Sequence, residues 1–148
     1  MRDRELLATA DGRSWSYGDV DRRAAQMASF LSAIGIRRGE RVSVQVKKSP
    51  ENLCLYLACL RGGFVFHPLN MGYKRAELEY FIGNAEPALV VCDSANEAML
   101  STIASSFGVR HVLTLEGDGR GTLAEGAKAS PHEFDTVVQQ RDDLAALL

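Results

Sequence analysis

The sequence has no excess of charge of one sign, and this shortage excludes a class of partner. Its 17 Lys and Arg nearly balance its 19 Asp and Glu, giving a formal net charge of −2 over 148 residues. Proteins that bind nucleic acid present a concentrated basic surface to the phosphates. No stretch of this chain concentrates five or more Lys and Arg, and adjacent basic residues form only pairs between acidic or apolar residues. We therefore expect no nucleic-acid partner.

Long apolar runs are also missing. The longest run, 53–60, contains a tyrosine and two cysteines, and it is far shorter than the roughly 18–20 residues that span a bilayer. Near the N-terminus only Leu6-Leu7-Ala8 is apolar, which is too short for the core of a secretory signal. The sequence thus predicts no membrane partner and a cytoplasmic location.

Cysteine is scarce, and its spacing is unlike that of a disulfide or metal framework. The three cysteines, Cys54, Cys59 and Cys92, are odd in number and lie inside apolar segments. The three histidines are far apart, without a carboxylate or thiol at ligand spacing. Metal knuckles and disulfide scaffolds need closely spaced or paired ligands. We expect reduced, buried thiols and no metal site.

What the sequence does contain is a regular alternation between helical and strand-like hydrophobic periods. A capping box at Ser16 begins an amphipathic helix, alternating valines mark the strand 42–46, and Ser49-Pro50-Glu51 begins an apolar helix. The pattern predicts strands at 42–46, 64–66, 88–92 and 111–115, and helices at about 16–35, 49–60, 74–84, 94–107 and 122–128.

Strands separated by helices of this length predict βαβ units with right-handed crossovers. The expected fold class is therefore α/β: a three-layer, Rossmann-like parallel sheet with helices on both faces. Such sheets bind ligands at the carboxyl ends of their strands. A site is thus expected in the loops that follow Val46, Phe66, Cys92 and Leu115.

No sequence motif in these loops carries catalysis. The glycine-rich segment 117–121 follows a predicted strand, but it lacks the dinucleotide spacing and the Walker lysine. It is either an exposed turn or an anion contact. The chain has no Gly-x-Ser-x-Gly elbow, and Cys54 and Cys59 lie in mid-helix, away from the helix N-terminus that favours a thiolate. The sequence therefore predicts no catalytic residue.

The order of several short segments nevertheless resembles one family. These segments are 9–17, 38–42, 48–51, 57–63 and Pro68-Leu69-Asn70. Together they resemble the opening of the adenylate-forming acyl-CoA synthetases, the AMP-dependent synthetases and ligases. The segments 84–93, 117–121 and 142–148 are most similar to those of malonyl-CoA synthetases.

This resemblance implies that residues 1–148 form an incomplete N-terminal AMP-binding domain, part of the large domain of an acyl-CoA synthetase, ending just before the phosphate loop. The implied reaction converts a carboxylate, ATP and CoA to acyl-CoA, AMP and pyrophosphate through an acyl-adenylate, with malonate as the expected carboxylate. The complete enzyme would use ATP, Mg and coenzyme A. This chain alone is expected to bind none of them and to be inactive, because the phosphate loop and the catalytic lysine belong to the C-terminal remainder that it needs.

The same resemblance singles out the segment 67–75, which follows a predicted strand and in the family lies near the coenzyme A entrance. Lys74 and Arg75 either contact the nucleotide phosphates of coenzyme A or form a solvated helix start. His67 either lines a pocket or packs structurally. Asn70 either lines that pocket or fixes the loop by hydrogen bonding.

One alternative from another class stays open: a stand-alone, non-catalytic α/β domain for binding or interaction. A Rossmann-type nucleotide-binding domain is disfavoured by the missing glycine fingerprint. If the family resemblance holds, residues 144–148 should be a strand or the start of one. They would then expose an apolar face or sheet edge to the rest of the enzyme.

Overall fold

The computed structural model describes residues 1–148 and confirms the predicted α/β class, with a parallel sheet between two layers of helices. In chain order the elements are β1 (Glu5–Ala8), β2 (Ser14–Ser16), α1 (Tyr17–Ala33), β3 (Arg41–Gln45), α2 (Pro50–Gly62), β4 (Val65–Pro68), α3 (Arg75–Ala85), β5 (Leu89–Cys92), a 3-10 turn (Ser94–Asn96), α4 (Glu97–Ser106), β6 (His111–Thr114) and α5 (Thr122–Lys128). None of the helices combines the length and apolar character that crossing a membrane requires.

The order of strands in the sheet determines where its loops converge. The four parallel strands lie in the order β4-β3-β5-β6. The chain passes from β3 through α2 to β4 on one side, then returns through α3 to β5 on the other side of β3. The loops after β3 and β5 therefore leave the sheet in opposite directions, which opens a crevice at the carboxyl ends of these two strands.

Each face of the sheet is covered by its own hydrophobic cluster. The larger cluster joins α1, α2 and α5 to the sheet face that carries Val42 and Val44 of β3. The smaller cluster joins α3 and α4 to the opposite face, which carries Val90 and Cys92 of β5. Because side chains alternate along a strand, the polar residues of β3 point into the second layer. Ser43 and Gln45 are therefore buried as well.

The cysteines are free and buried, as predicted. Burial raises the pKa of Cys54 to about 12, and burial also raises the pKa of Cys92 to about 12. The thiols are consequently protonated at neutral pH. They act as small apolar packing groups.

The N-terminal hairpin was not predicted from the sequence. Strands β1 and β2 pair antiparallel, with Leu7 opposite Trp15, and the turn between them contains Gly12 at φ +89°. Strands of four and three residues are too short to show a hydrophobic period. Most of β1 is also exposed. The hairpin depends instead on its contacts with the rest of the chain.

A long irregular segment after α5, residues 129–143, lies along α1 and α2 and is called here the strap. Arg61 of α2 binds it: one guanidinium nitrogen donates to the carbonyl of Phe134 at 2.9 Å, and Nε donates to Thr136 Oγ1 at 3.3 Å. The carbonyl of Arg61 accepts from the Val137 amide at 2.8 Å. A third nitrogen pairs with Asp21 of α1 at 3.1 Å. One side chain therefore links the strap to both helices.

Beyond the strap, the chain adds to the open edge of the sheet beside β4. Phe66 and Ala146 form a parallel bridge. The amide of Phe66 donates to the carbonyl of Ala145 at 3.0 Å, and the amide of Leu147 donates to the carbonyl of Phe66 at 3.0 Å. Residues 145–147 thus begin a strand at this edge, and Leu144 and Leu148 beside them are exposed.

Replacing Arg61 by methionine should loosen the strap. The variant keeps a long side chain but removes the hydrogen bonds of a charged donor, so the free energy of unfolding should fall by about 1–3 kcal/mol. Urea denaturation and limited proteolysis between residues 129 and 143 measure both effects. Arg61→Lys is the matched control: it keeps the charge, lacks the planar fork, and should be intermediate. Unchanged proteolysis of Arg61→Met would show that the strap is held by other contacts.

Candidate functional site

The segment 67–75 that the sequence singled out lies at the carboxyl end of β4 and leads into α3. His67 is the third of the four residues of β4. Asn70 lies in the connecting loop, Lys74 caps α3 and Arg75 is its first residue. The four residues therefore lie along one segment at the carboxyl end of the sheet, where ligands of such folds bind.

His67 is tied to the neighbouring strand. It lies opposite Ser43 of β3 in the register of the sheet, and its Nδ1 is 2.7 Å from Ser43 Oγ. The histidine is 6% exposed and Ser43 is fully buried. Burial lowers the pKa of His67, so the imidazole is neutral at neutral pH. The contact connects two strands, and a ligand-facing role for His67 stays a prediction.

Asn70 closes the loop on itself. Its Oδ1 accepts a hydrogen bond from the amide of Gly72 at 2.7 Å. Its carbonyl accepts one from the amide of Tyr73 at 3.1 Å. Asparagine side chains that bond the backbone two residues on stabilise tight turns. The structure thus shows the loop-fixing interaction of Asn70, and contact with a ligand stays a prediction.

Lys74 and Arg75 place two exposed cations at the start of α3. The backbone amide of Lys74 donates to Glu77 Oε2 at 2.8 Å, while its ammonium group makes no ion pair. The Nε of Arg75 pairs with Glu79 Oε1 at 2.8 Å, and both side chains are about half exposed. Exposed pairs of this kind are weak. The arginine can therefore exchange this partner for another anion.

Gln45, the last residue of the adjacent strand β3, contacts the backbone of this loop. Its Nε2 donates to the carbonyl of Asn70 at 2.9 Å and lies 3.5 Å from the carbonyl of Tyr73. The residue is 1% exposed, and its Oε1 is buried without a hydrogen-bond partner. The alternation in β3 marked Gln45 only as a polar residue opposite the valines. Its burial could be expected, because a sheet covered by helices on both faces also buries the polar residues of its strands. The partners of its hydrogen bonds could not be predicted.

A second feature is an open cleft of about 540 Å³ at the switch point of the sheet. Its charged lining comes from the loops after β3, β5 and β6 and from the hairpin turn: Asp11, Lys47, Lys48, Asp93, Glu116, Asp118 and Arg120. Glu116 Oε1 accepts from the amide of Ser94 at 2.7 Å. Hydrogen bonding to the Ser94 side chain, and secondly to its backbone amide, lowers the pKa of Glu116. The loops after β5 and β6 are therefore tied together.

The glycine-rich segment 117–121 is an internally bonded turn beside this cleft. The amide of Glu116 donates to the carbonyl of Arg120 at 2.7 Å, and the amide of Gly119 donates to the carbonyl of Glu116 at 3.0 Å. Asp118 Oδ1 accepts from the amide of Arg120 at 3.1 Å. Since these donors are used within the loop, the geometry favours the turn interpretation over an anion-binding loop.

Arg13 of the hairpin and Glu51 of α2 hold the same turn in place. One guanidinium nitrogen of Arg13 lies 2.5 Å from Glu51 Oε1 and 3.3 Å from the carbonyl of Asp118. Glu51 is 3% exposed, and its Oε2 has no partner. The sequence marked Glu51 only as an acid favourable at a helix N-terminus. The structure makes it the buried anchor of the hairpin.

The chemistry that this edge can perform is binding and positioning. No three His, Cys, Asp or Glu side chains lie together as metal ligands do. The Ser43–His67 contact is buried within the sheet, and the cysteines are protonated. The exposed groups are the cations Lys74 and Arg75 and the mixed charges of the cleft. Lys74 and Arg75 suit the recognition of an anionic ligand, whereas the cleft lining has four carboxylates beside three cations.

Comparisons with known proteins agree on the family. The AMP-binding enzyme family matches residues 1–148. The apo structure of MatB from Rhodopseudomonas palustris is 42% identical with a TM-score of 0.95, covering 99% of this chain and 29% of that one. Its ATP-bound structure is 43% identical with a TM-score of 0.94, covering 98% and 29%. A linear gramicidin synthase chain of Brevibacillus parabrevis is 35% identical over 134 residues, which are 90% of this chain and 2% of that protein.

The chain therefore spans less than a third of the length of each of these relatives. Its sheet and both helical layers match the N-terminal part of MatB, as the resemblance of its motifs implied. The family model covers every residue. This chain belongs to the AMP-binding enzymes, the family of adenylate-forming ligases that includes the acyl-CoA synthetases.

Proposed function

We propose that this chain is the N-terminal part of an ATP-dependent acyl-CoA synthetase whose carboxylate substrate is malonate. The observation that carries the proposal is the match to MatB, a malonyl-CoA synthetase, at 42% identity over 99% of the chain. One of the matching MatB structures has ATP bound. The similarity of residues 84–93 and 142–148 to malonyl-CoA synthetases supports malonate as the acid.

The proposed reaction has two steps. The carboxylate oxygen attacks the α-phosphorus of Mg-ATP and releases pyrophosphate, and the thiol of coenzyme A then attacks the acyl carbonyl and releases AMP. Phosphoryl transfer depends on donors placed around the reacting phosphate. We propose that these donors lie in the C-terminal remainder, because neither the sheet edge nor the cleft contains such an arrangement. The chain alone should then be inactive.

Within this reaction, we propose that the loop 69–75 meets coenzyme A. Lys74 and Arg75 would pair with the nucleotide phosphates, since both are exposed at the N-terminal end of α3, where the helix dipole also favours anions. Asn70 would hold the loop that leads to these cations, whereas His67 would only tie β4 to β3 through Ser43. This assignment makes coenzyme A the ligand of the loop and leaves ATP and the acid to the remainder.

A segment exchange tests the proposal. Residues 1–148 would replace the corresponding N-terminal segment of MatB, and the chimera would be assayed with malonate, ATP and coenzyme A beside unmodified MatB and the isolated chain. We expect malonate-dependent pyrophosphate release and thioester formation from the chimera, and neither from the isolated chain. A folded chimera without activity on malonate would contradict the malonyl assignment. Activity of the isolated chain would contradict the proposal that the catalytic donors lie in the C-terminal remainder.

A further inference from the structure

The loop 69–74 depends on one buried side chain of the neighbouring strand. The Nε2 of Gln45 donates to the carbonyl of Asn70 at 2.9 Å, and the carbonyl of Tyr73 lies 3.5 Å from the same nitrogen. The Asn70 carbonyl also accepts from the amide of Tyr73. One atom of Gln45 thus contacts both ends of the turn that this amide closes.

We propose that Gln45 is the positioning residue that sets the coenzyme A affinity of this enzyme. Its hydrogen bonds fix the position of the loop 69–74, and thereby let Lys74 and Arg75 contact the nucleotide phosphates. The inference rests on the proposed function. Gln45 touches no ligand itself. It acts through the peptide between Tyr73 and Lys74, because the carbonyl that it approaches belongs to the residue directly before the first cation.

The chemistry of the site explains why a glutamine stands at this position. Both loop groups are carbonyl oxygens, so the side chain must supply donors, and a primary amide supplies two. The residue is 1% exposed, so water does not replace these bonds. Its Oε1 has no partner, although buried polar atoms normally find one. An apolar side chain at this position would leave both carbonyl oxygens without the Gln45 donor, which is why a primary amide suits it.

The other buried polar residue on the same face of β3, Ser43, makes its side-chain hydrogen bond within the sheet and not to the loop 69–74. Ser43 lies two residues before Gln45 and bonds His67 inside the sheet. It has no hydrogen bond to the loop 69–74. Ser43→Ala is consequently a matched control: it removes a buried polar group from the same strand face and leaves the loop bonds intact.

The test compares two thiols in the MatB chimera that carries residues 1–148. Gln45→Met keeps a long unbranched side chain and removes both donors. We expect the KM for coenzyme A to rise about tenfold, the size expected for losing one or two hydrogen bonds, with kcat and the KM for ATP and malonate unchanged. Pantetheine, which lacks the nucleotide and its phosphates, should react equally well with the parent and the variant. Ser43→Ala should leave the ratio of the two thiols unchanged.

A purely structural role predicts a different result. If Gln45→Met reacts equally less well with coenzyme A and pantetheine, or loses activity with neither, the proposal is overturned. Thermal unfolding of each variant shows whether a loss of activity comes from a loss of folded protein. Calorimetric titration with coenzyme A separates this inference from the proposed function. If the parent chimera is inactive on malonate, the function fails, while weaker coenzyme A binding by Gln45→Met still supports the loop assignment. If the parent chimera and Gln45→Met bind coenzyme A with equal affinity, or if the parent does not bind it, the proposed role of Gln45 is overturned.

Discussion

Replacing Gly121 by alanine should lower the free energy of unfolding by about 2–6 kcal/mol. This glycine ends the turn 117–121 and precedes α5, with φ at +130°. An added Cβ would lie 2.7 Å from the carbonyl carbon of Thr114 and 3.1 Å from Leu115 Cα. With ψ at 172°, this backbone conformation is one that essentially only glycine adopts, and it costs an L-residue about 1–3 kcal/mol. Overpacking against backbone adds about 1–3 kcal/mol.

Gly12→Ala is the matched control for this prediction. Gly12 also has a positive φ, +89°, but an added Cβ there would meet nothing within 4 Å. Only the backbone cost then applies, about 1–2 kcal/mol. Urea denaturation of both variants, with the parent, measures the difference. Equal destabilisation of the two variants would show that the close approach of Gly121 to β6 does not constrain this turn.

Arg13→Met should lower the free energy of unfolding by about 2–4 kcal/mol. Removing one partner of a buried ion pair costs about 3–5 kcal/mol, because the other charge stays buried without compensation. The side chain of Glu51 is 4% exposed, whereas that of Arg13 is 31% exposed, so water screens part of the loss. Urea denaturation measures the change. Amide hydrogen exchange across residues 5–16 should increase, since Arg13 also bonds the carbonyl of Asp118.

The double variant Arg13→Met with Glu51→Leu shows whether the unpaired carboxylate is the cause. Replacing both charges by apolar groups of similar size is often neutral, because no buried charge remains. We therefore expect the double variant to recover much of the stability lost in Arg13→Met. If the double variant is no more stable than Arg13→Met, the lost Arg13–Glu51 attraction, and not the desolvation of Glu51, accounts for the destabilisation. If it is less stable, Glu51 contributes without Arg13, as the acidic residue in the first turn of α2.

The hydrophobic period predicted the parallel layers but not the hairpin. The strand 42–46 and the helix beginning at Ser49 were visible, since each repeats its pattern over enough residues and carries its own cap. The capping boxes and helix ends could be predicted for the same reason: their interactions join residues three or four apart. The strands β1 and β2 are short, and their stability depends on Arg13 contacting Glu51, 38 residues away.

The candidate site, likewise, could be predicted only in part from the sequence. The loop 67–75 was found because a predicted strand ends there and its segment resembles a known family. Gln45 was not found, because its role depends on the loop that follows the next strand, and the sequence cannot show which carbonyl oxygens will lie above its amide. The turn interpretation of 117–121 required the structure too, since its amide bonds and the contact from Arg13 decide against a free anion loop.

The sequence by itself determined the class of fold and the family, because both depend on local periodicity and the order of short motifs. Only the tertiary structure decided which polar residues work together: Gln45 with the loop 69–74, Arg13 with Glu51, and Arg61 with the strap. The physical reason is the distance along the chain. Hydrogen bonds and ion pairs between distant residues form only when packing has brought them together and removed the competing water.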